Sequence, residues 1–121
     1  MDYKQIKTDY LESVSGGDIT IISEITELFR SQAAEIYNDM KRLYEKKEYS
    51  LLGMLAHKAK SSVAIMGMDE LASLLKKFEL SAKEAKDTDL YPSYIEKFGK
   101  DTLEAIEELD DFIAKQLKAR R

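Results

Sequence analysis

The chain has 121 residues, 44% hydrophobic and 35% charged, with a formal net charge of −4; this suits one domain, residues 1–121, with a real core and a well-solvated surface. The absence of cysteine excludes disulfides, thiolate catalysis and cysteine–metal sites, and fits a reducing compartment. The lysines are dispersed, so no nucleic-acid partner is expected; the start, MDYKQIKTDYLE, is not a signal peptide and the longest apolar run, VAIMGM, is too short to span a membrane, so a cytoplasmic protein with no membrane contact is expected.

The periodicity is helical throughout. Tyr3, Ile6, Tyr10 and Val14 suggest a short first helix that stops at SGGD, where Gly16 or Gly17 can adopt the left-handed conformation that closes a helix. Asp18 can cap the second helix, which runs to about Lys47 with Ile22, Ile25, Phe29, Ala33, Ile36, Met40 and Leu43 as one apolar stripe. KKEYS reads as a turn and Ser50 as the next cap. A third helix runs to about Met66; Gly67 ends it, and Asp69 starts a fourth with Leu71, Leu74, Leu75, Phe78 and Ala82 inward. DTDLYP is a further turn, Pro92 fits the first turn of the last helix, and Ile95, Phe98, Ile106, Leu109, Ile113 and Leu117 face the core. Long helices joined by short turns are antiparallel neighbours. The expected fold is therefore all-α: an up-down antiparallel four-helix bundle with a short additional N-terminal helix. Every apolar stripe has a place inside one such bundle, so a monomer is expected.

The only histidine, His57, lies in LAHKAKSSVAIMG on the third helix. Successive helical residues rotate by roughly 100°. Leu52, Leu55, Ala59, Ser62 and Met66 fall in one arc, taken as the core side, and His57 then points roughly 170° away from its centre. The outer face also carries Lys60 and the small residues Gly53, Ser61 and Ala64, which let a partner approach closely, with Met54 and Ile65 as an apolar rim. Glu79 follows the Gly67–Met68 turn by about as many residues as His57 precedes it, so the two share a height along the hairpin. A carboxylate there can accept the Nδ1 proton of His57 and leave Nε2 as the free lone pair. The plain alternatives are a surface histidine, partial burial of Met54 and Ile65 against a neighbouring helix, and one more surface glutamate.

The stretch AHKAKSSVAIMGMDELASLLKKFE resembles the signature of the histidine-containing phosphotransfer (HPt) domains of multistep phosphorelays. That pattern has a histidine, a lysine three residues on, small residues after it, a glycine ten residues after the histidine, and apolar spacing to a polar or acidic residue. His57, Lys60, Ser62, Gly67, Leu71, Leu75 and Glu79 match it in turn. Upstream, ITELFRSQAAEIYNDMKRLYEKKEY resembles the long helix that precedes it, with Phe29 at an aromatic position. Two positions depart: Ala59 stands where leucine is frequent, and Ser61 where glycine is frequent.

The resemblance implies that His57 is the phospho-acceptor and that Glu79 orients its imidazole, and Gly53, Met54, Lys58, Ser61, Ala64 and Ile65 are the expected partner-docking face. It implies receiver domains of response regulators, a hybrid sensor histidine kinase, or both, as partners. An imidazole titrates near ~6.5, so its neutral form is a nucleophile at neutral pH. Lys60, one turn from His57, is the group expected to neutralise phosphoryl charge. No glycine-rich phosphate loop is present, since SGGD joins two helices, and no acidic cluster on that face suits magnesium. No cofactor is expected on this chain, magnesium being expected on the partner receiver. The protein would be a phosphoryl carrier rather than a self-sufficient enzyme. Two alternatives stand beside it: a non-phosphorylated adaptor bundle binding receiver or kinase domains, and a carboxylate-bridged di-metal bundle. The second requires a histidine from each of two helices, and this chain has one.

Overall fold

In the computed structural model, which describes residues 3–119, five α-helices follow one another: α1 (Thr8–Ser15), α2 (Ile19–Glu45), α3 (Tyr49–Ile65), α4 (Asp69–Lys83) and α5 (Tyr91–Ala119), with a single 3₁₀ turn, Thr88–Leu90, before the last. Helix α3 lies against α4, α2 against α5, and the α2–α3 and α4–α5 contacts close the ring. This is the expected all-α bundle, with α1 packed across α2 and α3.

The element boundaries follow local chemistry. Gly16, at φ 65°, ends α1 in the left-handed region, and Asp18 caps α2 by accepting from the Thr20 amide at 2.8 Å. The cap of α3 differs from expectation: Glu48 occupies that position, with no side-chain capping bond, and Ser50 lies inside the helix. Gly67 turns the chain between α3 and α4 at φ 76°, and a Cβ there would lie 2.7 Å from the Cβ of Lys7. Only glycine satisfies both conditions.

The N-terminal segment explains that crowding. Residues 3–7 are not helical, contrary to the expectation that the first helix includes Tyr3 and Ile6. The amides of Gln5 and Ile6 instead donate to Glu108 Oε1 at 2.9 and 3.1 Å, and the Lys7 amide donates to the Met66 carbonyl at 3.0 Å. Within α1 it is Leu11 that is buried, while Tyr10 and Val14 are exposed.

One contiguous core draws on all five helices. Phe29, Ile36 and Met40 of α2 meet Leu75 and Phe78 of α4 and Ile95, Phe98 and Leu109 of α5 in it. Tyr91, fully buried at one end, stacks edge-on to Tyr44 and Tyr49 and packs on Phe78. Among the expected inward residues of α5, Leu117 is exposed. Gly99 lies under the ring of Tyr37, where a Cβ would come within 2.6 Å of Cε1. No helix among the described residues is long and apolar enough to cross a membrane.

Candidate functional site

Helix α3 packs on α4 through an arc of Leu52, Ala56, Ala59 and Val63, with Leu55 and Ser62 half-buried. The arc is turned relative to the one expected from Leu52, Leu55, Ala59, Ser62 and Met66. Gly53, which has no side chain, lies close against the α4 backbone, so this edge of α3 is turned towards α4. His57 still falls outside the core, with 59% of its side chain exposed.

Of the residues expected on a docking face, Gly53 is the one that is not exposed. It is buried, and a Cβ on it would lie 3.1 Å from Lys83 Cγ, 3.2 Å from the Glu79 carbonyl and 3.3 Å from the Lys83 amide nitrogen. It faces α4, not a partner. Met54, Lys58, Ser61, Ala64 and Ile65 are exposed on the same helix as His57. Ser61 Oγ donates to the His57 carbonyl at 3.5 Å, at the long limit of a hydrogen bond. A shallow groove beside Ala64 and Ile65 continues onto Asp9, Tyr10, Ser13 and Val14 of α1.

Across the hairpin, Glu79 projects from the edge of the α4 apolar stripe. Its carboxylate is only 8% exposed, yet both of its oxygens lie 3.1 Å from His57 Nδ1. Lys83 Nζ donates to Oε2 at 2.8 Å, and Lys60 Nζ lies 3.5 Å from Oε1. The Lys83 hydrogen bond is the largest influence on the Glu79 pKa. Burial opposes it and the His57 contact reinforces it, and the net effect holds the carboxyl down at about 2. At neutral pH the carboxylate is therefore ionised and can only accept. Nδ1 must then carry the proton, and Nε2 is left with its lone pair on the exposed side of the ring. With a neutral imidazole, the two ammonium groups and one carboxylate leave a single positive charge in excess around Glu79.

A family model, the Hpt domain, matches residues 24–116. The chain belongs to the Hpt domain family. Neither the curated proteins nor the solved structures gave a match. Hpt domains serve phosphotransfer in phosphorelays, where they interact with receiver domains or kinases. The match spans most of α2 and all of α3 and α4, so it contains every residue of the His57 cluster.

In this Hpt domain, then, His57, Lys60 and Glu79 converge, and Met54, Lys58, Ser61, Ala64 and Ile65 share the exposed side of α3. Lys83 is the member that sequence reasoning missed. Its signal is present: a lysine four residues after Glu79 is the favourable order for an ion pair on one helix. Among the described residues no three His, Cys, Asp or Glu side chains converge as a metal-ligand group.

Proposed function

We propose that this chain is a phosphoryl carrier that accepts a phosphoryl group on Nε2 of His57 from the aspartate of a response-regulator receiver domain, or from a hybrid sensor kinase, and passes it on. One observation carries the reading: the only imidazole of the chain is exposed while its Nδ1 is held by a buried carboxylate.

The chemistry balances without any proton transfer. The Nε2 lone pair attacks the phosphorus of a phosphoaspartyl group, the N–P bond forms, and the P–O bond to the aspartyl carboxylate breaks, its electron pair leaving with the aspartate. The ring retains its Nδ1 proton and becomes cationic, and the ionised Glu79 beside that nitrogen stabilises the new charge. The product is as reactive as the starting phosphoaspartate in kind, so the step runs in either direction. Phosphoryl transfer needs positioning and charge neutralisation above all. Lys60, one turn from His57 and held only loosely by Glu79, is placed to turn to the phosphoryl oxygens. The exposed Met54, Lys58, Ser61, Ala64 and Ile65 are the proposed docking face for the receiver. Magnesium is proposed to arrive with the receiver, since Glu79 is already engaged by an imidazole and two ammonium groups. The carrier acts as a cytoplasmic monomer.

The test is incubation with a phosphorylated receiver domain or a small phosphodonor, followed by analysis of the labelled protein. The expected product is an acid-labile, base-stable modification in the parent and none in His57→Gln. Equal labelling of the two proteins would refute the carrier and leave the adaptor.

A further inference from the structure

We infer that Lys83 is a positioning residue for His57: its ammonium keeps the Glu79 carboxylate turned onto Nδ1, and the missing side chain of Gly53 clears the path along which it does so. The inference rests on the carrier reading and assigns a part of the site that the sequence signature does not contain.

Glu79 is straddled. Lys60 approaches Oε1 at 3.5 Å from α3, Lys83 grips Oε2 at 2.8 Å from α4, and Nδ1 sits 3.1 Å from each oxygen. An ordinary ion pair between residues four apart on a helix joins two solvated side chains. Here the lysine is half exposed but the Glu79 side chain is 8% exposed, and its other partners are the reactive ring and the more distant Lys60 ammonium. A carboxylate that is nearly buried and loses a close ammonium tends either to take a proton or to turn away. A Glu79 that turns away no longer accepts from Nδ1, and the ring proton is then free to sit on Nε2, the tautomer an unassisted neutral imidazole favours. That tautomer has no lone pair at the exposed nitrogen.

The two lysines therefore divide the work. Lys60 lies on the helix of His57 with the longer contact and can leave Glu79 for an incoming phosphoryl group. It can do so without freeing the carboxylate because Lys83 remains, on the far helix and on the other oxygen. Gly53 makes the arrangement possible. A Cβ there would press on Lys83 Cγ at 3.1 Å and on the backbone of Glu79 and Lys83 at 3.2 and 3.3 Å, so a side chain at 53 either displaces the lysine stem or pushes α4 away from α3.

The chain's one histidine gives one pair of ring-nitrogen signals, so its tautomer can be read by long-range proton–nitrogen NMR at about pH 8, where a free imidazole is neutral. The parent is expected to show a protonated Nδ1 and a pyridine-like Nε2. In Lys83→Met the Nε2–H form should gain population, and phosphoryl uptake from a small donor should slow roughly tenfold, the scale seen when a group that orients a reactive ligand is lost. Lys83→Arg should restore both, and Lys60→Met should keep the parent tautomer. An unchanged tautomer in Lys83→Met overturns the inference whatever the uptake rate. A parent that takes up no phosphoryl group refutes the carrier reading instead, and the tautomer comparison still decides on Lys83.

Discussion

Two carboxylates in this bundle are almost equally hidden, and they do different things. Glu79 is 8% exposed and Asp101 is 6% exposed, and each is joined to a half-exposed lysine one turn away on its own helix. Asp101, on α5, holds Lys97 Nζ at 3.0 Å within its own helix and lines a surface cavity together with Tyr3 and Leu71. Glu79 holds Lys83 in the same way but also faces an exposed imidazole and a second ammonium from the neighbouring helix. A buried carboxylate with one cation is a structural pair. The same carboxylate aimed at a ring whose far nitrogen meets solvent controls a proton, and through it a nucleophile.

The sharpest way to break this contrast is to neutralise each acid. Glu79→Gln should slow phosphoryl uptake at His57 by about 10- to 100-fold, as removal of an orienting partner does elsewhere. Asp101→Asn should leave uptake unchanged. Both should lose roughly 1–2 kcal/mol of stability in urea unfolding, because each leaves a charge-assisted hydrogen bond unmade. Equal slowing of uptake by the two variants would erase the distinction.

Acid titration tests the partners of Glu79 on stability alone. The Glu79 carboxyl is held at about 2 in the folded chain, against 4.5 for the ordinary group, by Lys83 first and His57 after it. A depressed folded value means that the stabilisation is complete above the unfolded value and fades as pH falls from about 5 towards 2. The contribution is on the order of 2 kcal/mol after allowance for solvent screening. The stability difference between the parent and Glu79→Gln should therefore be constant from neutral pH to about 5 and shrink below it. A difference that stays flat down to pH 2 would mean that the carboxylate gains nothing from its partners.

The smallest effect tests the opposite wall of the bundle. Gly99 sits under the Tyr37 ring, which is itself held by Glu96 at 2.9 Å and by the Lys41 ammonium over its face. In the parent, Gly99→Ala should fail to deliver the ~1 kcal/mol that alanine ordinarily adds to a helix interior. In a Tyr37→Ala background the same change should recover it, with no effect on His57. A full gain in the parent would show that the ring yields freely.

Much of this was legible in the chain. The helices and their order follow from apolar spacing and from Gly16, Asp18, Gly67 and Pro92. The nearness of His57 and Glu79 follows from counting outward from the hairpin turn. The rotation of α3 was not legible, because Gly53, Ala56 and Ala59 are small enough to lie on either side and their place is set by how closely α4 approaches. For the same reason Gly53 reads as part of an open face when it is a gap filled by Lys83. The start of the first helix is not legible because Tyr3, Ile6, Tyr10 and Val14 share a helical spacing, whereas Glu108, more than 100 residues away, binds the amides of Gln5 and Ile6 in a non-helical segment. Lys83 lies outside the family signature, and its reach to Glu79 depends on that same gap.

The central claim is that His57 presents Nε2, with Nδ1 protonated against Glu79, to a phosphoryl donor. The most direct measurement is phosphorus and nitrogen NMR of the protein after transfer from a phosphorylated receiver. The account predicts one N–P bond, at Nε2 of His57, with Nδ1 still bearing its proton. A phosphoryl group found on Nδ1, or on any other side chain, would contradict it.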